Sequence, residues 1–106
     1  MMRQRKKTRL ASGGWRVVDA PEFLGLSPEE AAFVELKLGL AAHLREMRAR
    51  QGWTQSDVAR RIRSSQSRVA KMEAADASVS LDLLVKSLLA LGASRAEVGR
   101  VIARAA

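Results

Sequence analysis

At 106 residues, with 47% hydrophobic and 28% charged side chains, the chain can bury one modest core but not two, and its composition is that of a globular domain. Cysteine is absent, which excludes a disulfide framework and any thiolate metal site, and the formal net charge is +8. Tyrosine is absent and aromatic residues reach only 4%, so the abundant Leu, Ala and Arg favour an all-α fold.

The charge divides the chain into three stretches. Residues 1–18 carry six bases (Arg3, Arg5, Lys6, Lys7, Arg9, Arg16) and no acid, whereas residues 19–36 carry five acids (Asp19, Glu22, Glu29, Glu30, Glu35) and no base. From Lys37 onward bases outnumber acids thirteen to six. The expected organisation is a basic arm over 1–18 followed by a helical domain over 19–106. The arm reads equally as a solubility tail or as an extension along phosphates. It runs into Ser12-Gly13-Gly14-Trp15-Arg16 rather than an apolar segment, which argues against a signal peptide. With no apolar run of transmembrane length either, a soluble, cytoplasmic protein is expected. The short Trp15-Arg16-Val17-Val18 run fits an extended arm or an edge strand. The acidic collar complements helix dipoles or offers a docking surface to a basic protein.

Capping boxes, an oxygen acceptor followed three residues later by a carboxylate, are expected at Asp19 with Glu22, Ser27 with Glu30, Thr54 with Asp57, and Ser94 with Glu97. A long helix is expected from Pro28 to Gln51, with Pro28 at the first turn and Gly52 closing it. It carries one apolar stripe of Phe33, Leu36, Leu40, Leu44 and Met47 and a second of Val34, Leu38 and Ala41. Its start therefore needs burial on several sides or a partner. Two short helices follow, Thr54 to Arg61 and Ser65 to Ala74, joined by a tight turn. Ala59 allows their close approach, Val58, Ile62, Val69 and Met72 supply a shared core, and Trp53 packs at its edge. Ser80 caps a helix with Leu81, Leu84, Val85, Leu88 and Leu91 on one face, closed by Gly92. Ser94 caps a fifth, in which Val98, Val101 and Ile102 face inward.

If Val69 and Met72 face inward, Gln66, Ser67, Arg68 and Lys71 face outward. Gln pairs bidentately with adenine, Arg and Lys donate to guanine or phosphate, and Ser donates to either. An α-helix fits the major groove, and Gln55 at the start of the preceding helix is placed to reach a phosphate.

These residues resemble the helix-turn-helix of the phage repressor and Cro type, the XRE family, with the motif itself over about residues 54–73 and the likeness running through residues 36–92. The likeness is carried by Thr54-Gln55, Ala59, Ser65-Gln66-Ser67-Arg68-Val69, Glu73 and Leu91-Gly92. It implies a five-helix repressor-like fold and DNA contacts by Thr54, Gln55, Arg63, Ser65, Gln66, Ser67, Arg68 and Lys71. It also implies a structural ion pair between Arg48 and Glu73. Arg63 departs from the pattern, because it stands where family members carry a turn glycine. That requires either another backbone path or strain of roughly 1 kcal/mol. The wider pattern, Glu22 to Glu30 and Ser78 to Leu84, is similar to small bacterial antitoxin-like regulators.

The resulting expectation is a homodimeric regulator, a repressor of its own operon, that reads a palindromic operator in double-stranded DNA. The alternative is an antitoxin that neutralises a RelE-like toxin and uses DNA only for autoregulation. The last two helices and the start of the long one are alternative dimer surfaces. One histidine, no cysteine, no glycine-rich phosphate loop and no carboxylate pair apart from the caps argue against an enzyme. No cofactor or metal is expected, and His43 reads as an ordinary helix residue.

Overall fold

The computed structural model describes residues 25–104. The basic arm, the Trp15 to Val18 run and the Asp19–Glu22 cap lie outside the described residues. The described residues form five helices and no strand: α1 (Pro28–Gln51), α2 (Gln55–Ile62), α3 (Gln66–Glu73), α4 (Leu81–Ala90) and α5 (Arg95–Arg104). The chain divides into two compact units at Phe33–Val34. In the first, the described residues hold the start of α1, where Ser27 Oγ accepts from the Glu30 amide and the Glu30 carboxylate accepts from the Ser27 amide. This reciprocal box satisfies two amide donors that the helix itself leaves free.

Residues 34–104 carry the core. Leu40, Leu44 and Met47 of α1 meet Val58 and Ala59 of α2, Val69 and Met72 of α3, Leu84 and Leu88 of α4, and Val98 and Val101 of α5, with the interhelical Val79 and Ala93 completing it. Trp53, Ile62, Leu81, Val85 and Leu91 are half-buried around this cluster. Only the later part of the α1 stripe is buried. Phe33, Val34 and Leu38 are 47%, 41% and 53% exposed, so the doubly apolar start of α1 is open to solvent. The inward placement expected for Ile102 fails: it is exposed, and α5 buries only Val98 and Val101. Helical phase explains this, because a helix this short inserts only a narrow strip of its surface and Ile102 turns about 100° away from Val101.

Four helices end in the same way. The N–H of a left-handed residue bonds three residues back, and the next N–H bonds five back, as for Gly52 to Ala49 and Trp53 to Arg48. Gly52 and Gly92 close α1 and α4 with φ of 71° and 108°, as suits glycine. Arg63 and Ala75 close α2 and α3 at φ of 59° and 53°. The turn therefore keeps the left-handed path despite lacking glycine, and α3 is followed by a second such residue that the sequence did not flag.

The box expected at Ser94 forms only by half. Ser94 Oγ accepts from the Glu97 amide, but the Glu97 carboxylate turns to His43 on α1, 2.5 Å from Nε2. His43 is buried, and its Nδ1 has no hydrogen-bond partner among the described residues, the Glu46 carboxylate standing 3.7 Å away. The hydrogen bond with His43 is the main cause holding the Glu97 carboxyl below its ordinary value, against a desolvation that raises it. The imidazole thus ties α1 to α5.

Candidate nucleic-acid interface

Helices α2 and α3 are both eight residues long, too short to persist alone in water, so caps and packing hold them. Thr54 caps α2 in a reciprocal box with Asp57. Its backbone amide and then its hydroxyl are the leading causes that lower the Asp57 carboxyl, with Arg60 adding to them. Ser65 caps α3, its Oγ accepting from the Arg68 amide. Val58 and Ala59 face Val69 and Met72 across the shared core. With that face of α3 buried, Gln66, Ser67, Arg68 and Lys71 are all exposed on the other.

The C-terminal end of α3 is tied to α1. Glu73, 5% exposed, takes a fork contact from Arg48, with Nε 2.6 Å from Oε2 and Nη2 3.0 Å from Oε1. This hydrogen bonding is the largest cause that raises the Arg48 guanidinium above its ordinary value. Arg45 Nη1 donates to the Glu73 carbonyl at 2.5 Å, and Lys37 Nζ to the Asp76 carbonyl at 3.4 Å. At the Glu73 carbonyl, in the last turn of the helix, the Arg45 cation also complements the helix dipole. Asp76 in turn accepts from the Ser78 hydroxyl and amide, which lower its carboxyl.

The Glu73 carboxylate also reaches the outward face. Gln55 Nε2 donates to Glu73 Oε1 at 3.1 Å, and Gln66 Nε2 donates to Gln55 Oε1 at 2.6 Å. A continuous chain of hydrogen bonds therefore runs from α1 through a half-buried Gln55 to the first residue of α3. Gln55 had been read only as a group facing a phosphate; here both ends of its amide are engaged within the protein, with one N–H left over.

Three more features surround this face. Ser65, Ser67, Arg68 and Lys71 line a cleft of about 300 Å³ with Ser78 and Val79. Ser78 was not among the expected contact residues, since it lies beyond the motif and only the loop after α3 brings it there. Arg60, Arg61 and Arg63 are exposed at the end of α2, with Arg61 stacked 4.1 Å from the centre of the Trp53 ring and Arg60 paired with Asp57. Thr54 is exposed beside them.

The model of the helix-turn-helix domain family matches residues 40–101, more than half of the chain and all of α2, α3 and α4. The chain belongs to this family. Within it, this helix-turn-helix protein falls in the Cro/C1/XRE-type group, whose members are DNA-binding regulators and typically not enzymes. Comparison with curated proteins and with solved structures gave no match. No helix among the described residues is long and apolar enough to cross a membrane.

Proposed function

We propose that this helix-turn-helix protein is a sequence-specific regulator of transcription that binds double-stranded DNA as a homodimer and represses its own promoter. The observation that carries this reading is the division of α3, with Val69, Met72 and Glu73 buried and Gln66, Ser67, Arg68 and Lys71 exposed on a helix of major-groove width. Such a face has donors and acceptors for base edges and two cations for phosphates. The Glu73 carboxylate is turned inward against Arg48 and does not oppose them, and the Asp76 carboxylate near Lys71 is occupied by Ser78.

In the proposed complex, Gln66 and Arg68 read bases, with Ser67 and Lys71 at neighbouring base edges or phosphates. Thr54, the free N–H of Gln55, Arg63 and Ser65 hold the backbone and fix register. Two copies of α3 enter successive major grooves about 34 Å apart, so the operator is two-fold symmetric.

Fluorescence anisotropy of the protein on its own upstream DNA and on a scrambled duplex, across a salt series, tests this. A preference for the native duplex that persists as salt rises supports sequence reading. Equal binding that vanishes together on both would reduce the positive charge to nonspecific attraction and refute it.

A further inference from the structure

We propose that His43 and Glu97 form a pH-sensitive clamp on the last helix: with protons on both ring nitrogens α5 is held tightly against α1, and loss of one proton loosens it.

Helix α5 has little else to hold it. Its ten residues bury only Val98 and Val101 in the shared core. A short helix with so few buried apolar groups belongs to the low-stability end of a domain, where local opening precedes global unfolding. The polar tie to α1 therefore matters more here than one pair would inside a larger interface. His43 comes from the middle of α1 with its side chain 8% exposed, and Glu97 from the first turn of α5 at 27%.

The ring has two charge states, and only one of them satisfies both nitrogens. The Glu97 carboxyl is held below its ordinary range chiefly by the bond from His43, so it is ionised at neutral pH and can only accept. Nε2 must therefore carry a hydrogen in either state. In the neutral ring Nδ1 is then a bare acceptor, shut off from solvent and with no donor among the described residues. Docking incurs that penalty, whereas the hydrated ring of a released helix does not. Protonation turns Nδ1 into a donor. The Glu46 carboxylate stands 3.7 Å from it, one turn along α1, and its 62% exposure leaves it room to swing closer. The imidazolium then lies between two carboxylates, one on each helix.

Two cations stand near this group. Arg104 of α5 lines the same small cleft as His43, Glu46 and Val101, and Arg50 of α1 acts on Glu97. Both arginines are exposed, so solvent screens their opposition to a charged ring, whereas the Glu97 contact at 2.5 Å lies largely out of water. Between about pH 6 and pH 8 Glu97 stays ionised, and the ring is the member of the pair that changes charge. The ring proton is worth more to the docked helix than to a released one. Docking therefore strengthens toward the acid side of this window and weakens as pH rises, by at most about tenfold in the opening equilibrium per pH unit, because one proton is linked.

Hydrogen exchange of the full chain, measured by mass spectrometry at about pH 6, 7 and 8, tests the clamp. Protection factors are compared rather than raw rates, which removes the intrinsic pH dependence of exchange. The chain has one histidine, so nitrogen-15 shifts of its ring follow the proton without ambiguity. Protection of α5 should fall severalfold across the window, in step with the ring proton, while α2 and α4 keep theirs. His43→Gln, which cannot titrate, should abolish the dependence. Glu46→Gln removes the second carboxylate at an exposed position and should remove most of it, so this variant decides the matter even if His43→Gln does not fold. Constant α5 protection across the window, or a fall undiminished in Glu46→Gln, would overturn the proposal. A fall shared equally by α2, α4 and α5 would overturn it too, because the pair would then stabilise the whole domain rather than one helix.

Discussion

Replacing Arg63 by glycine should make the protein more stable and a weaker DNA binder at the same time. Arg63 sits at φ 59°, ψ 51°, where a side chain's Cβ crowds the backbone at a cost of about 1–2 kcal/mol. Glycine escapes that cost but loses about 0.5–1 kcal/mol more conformational freedom on folding. The net gain is about 0.5–1 kcal/mol, which for a domain of this size raises Tm by a few degrees. Among the described residues no hydrogen bond or ion pair of the Arg63 side chain offsets the gain, and its bonds at the cap are made by the backbone. On DNA the sign reverses. If the exposed guanidinium meets a phosphate, removing it lowers the salt slope of log affinity by about 0.9 per protomer. Arg63→Ala separates the two effects, because alanine keeps the strain and loses the charge. It should bind as weakly as the glycine variant without its added stability. Thermal melts and salt-dependent anisotropy on the three proteins provide the assay. A lower Tm in Arg63→Gly would refute the strain argument, and an unchanged salt slope in both variants would refute the phosphate contact.

Gln66→Ala should cost about 1–3 kcal/mol on the cognate duplex and almost nothing on random DNA, measured by competition anisotropy; equal losses on both would make Gln66 a backbone contact. Glu73→Ala should cost about 2–4 kcal/mol in urea unfolding, less than for a wholly buried pair because the Arg48 side chain is 26% exposed, and a loss under about 0.5 kcal/mol would show the pair to be dispensable. Asp57, Asp76 and Glu97 all bind protons less readily in the folded state, so their contribution to stability is complete above the ordinary carboxylate range near about 4 and disappears as pH falls through their lowered values. The urea midpoint should fall between pH 5 and pH 2.5, and an unchanged midpoint would contradict those hydrogen-bonded carboxylates.

Local signals carried most of the fold. The spacing of Leu40, Leu44 and Met47 marked the buried side of α1, and Thr54, Ser65 and Ser80 each accept from an amide three residues on, because a cap is written within four consecutive residues. The outward face of α3 followed from the same periodicity. What escaped the sequence depends on distant segments meeting. Ser94 and Glu97 have the composition of a full capping box, but a buried imidazole 54 residues away competes for the carboxylate and wins. The Arg45 contact to the Glu73 carbonyl spans 28 residues, and carbonyls leave no trace in a side-chain pattern. Ala75 is silent for another reason: alanine is rarely left-handed, so only the closure geometry of α3 reveals it. Ile102 was misplaced because an apolar residue on a short helix fits either side of its narrow buried strip.

The ties from Arg45, Arg48 and Lys37 all fall at or just beyond one end of α3, the end remote from Gln66. Mechanically, the helix is rooted in α1 at this end, while its opposite end rests on α2 through Gln55. A beam held this way transmits any rotation of its root to its tip. In the proposed complex, the pitch at which the tip meets a groove therefore depends on Lys37, Arg45 and Arg48, all of them before the motif begins at Thr54. If the proposed complex forms, substitutions along α1 should retune its geometry without altering a single group proposed to face the DNA.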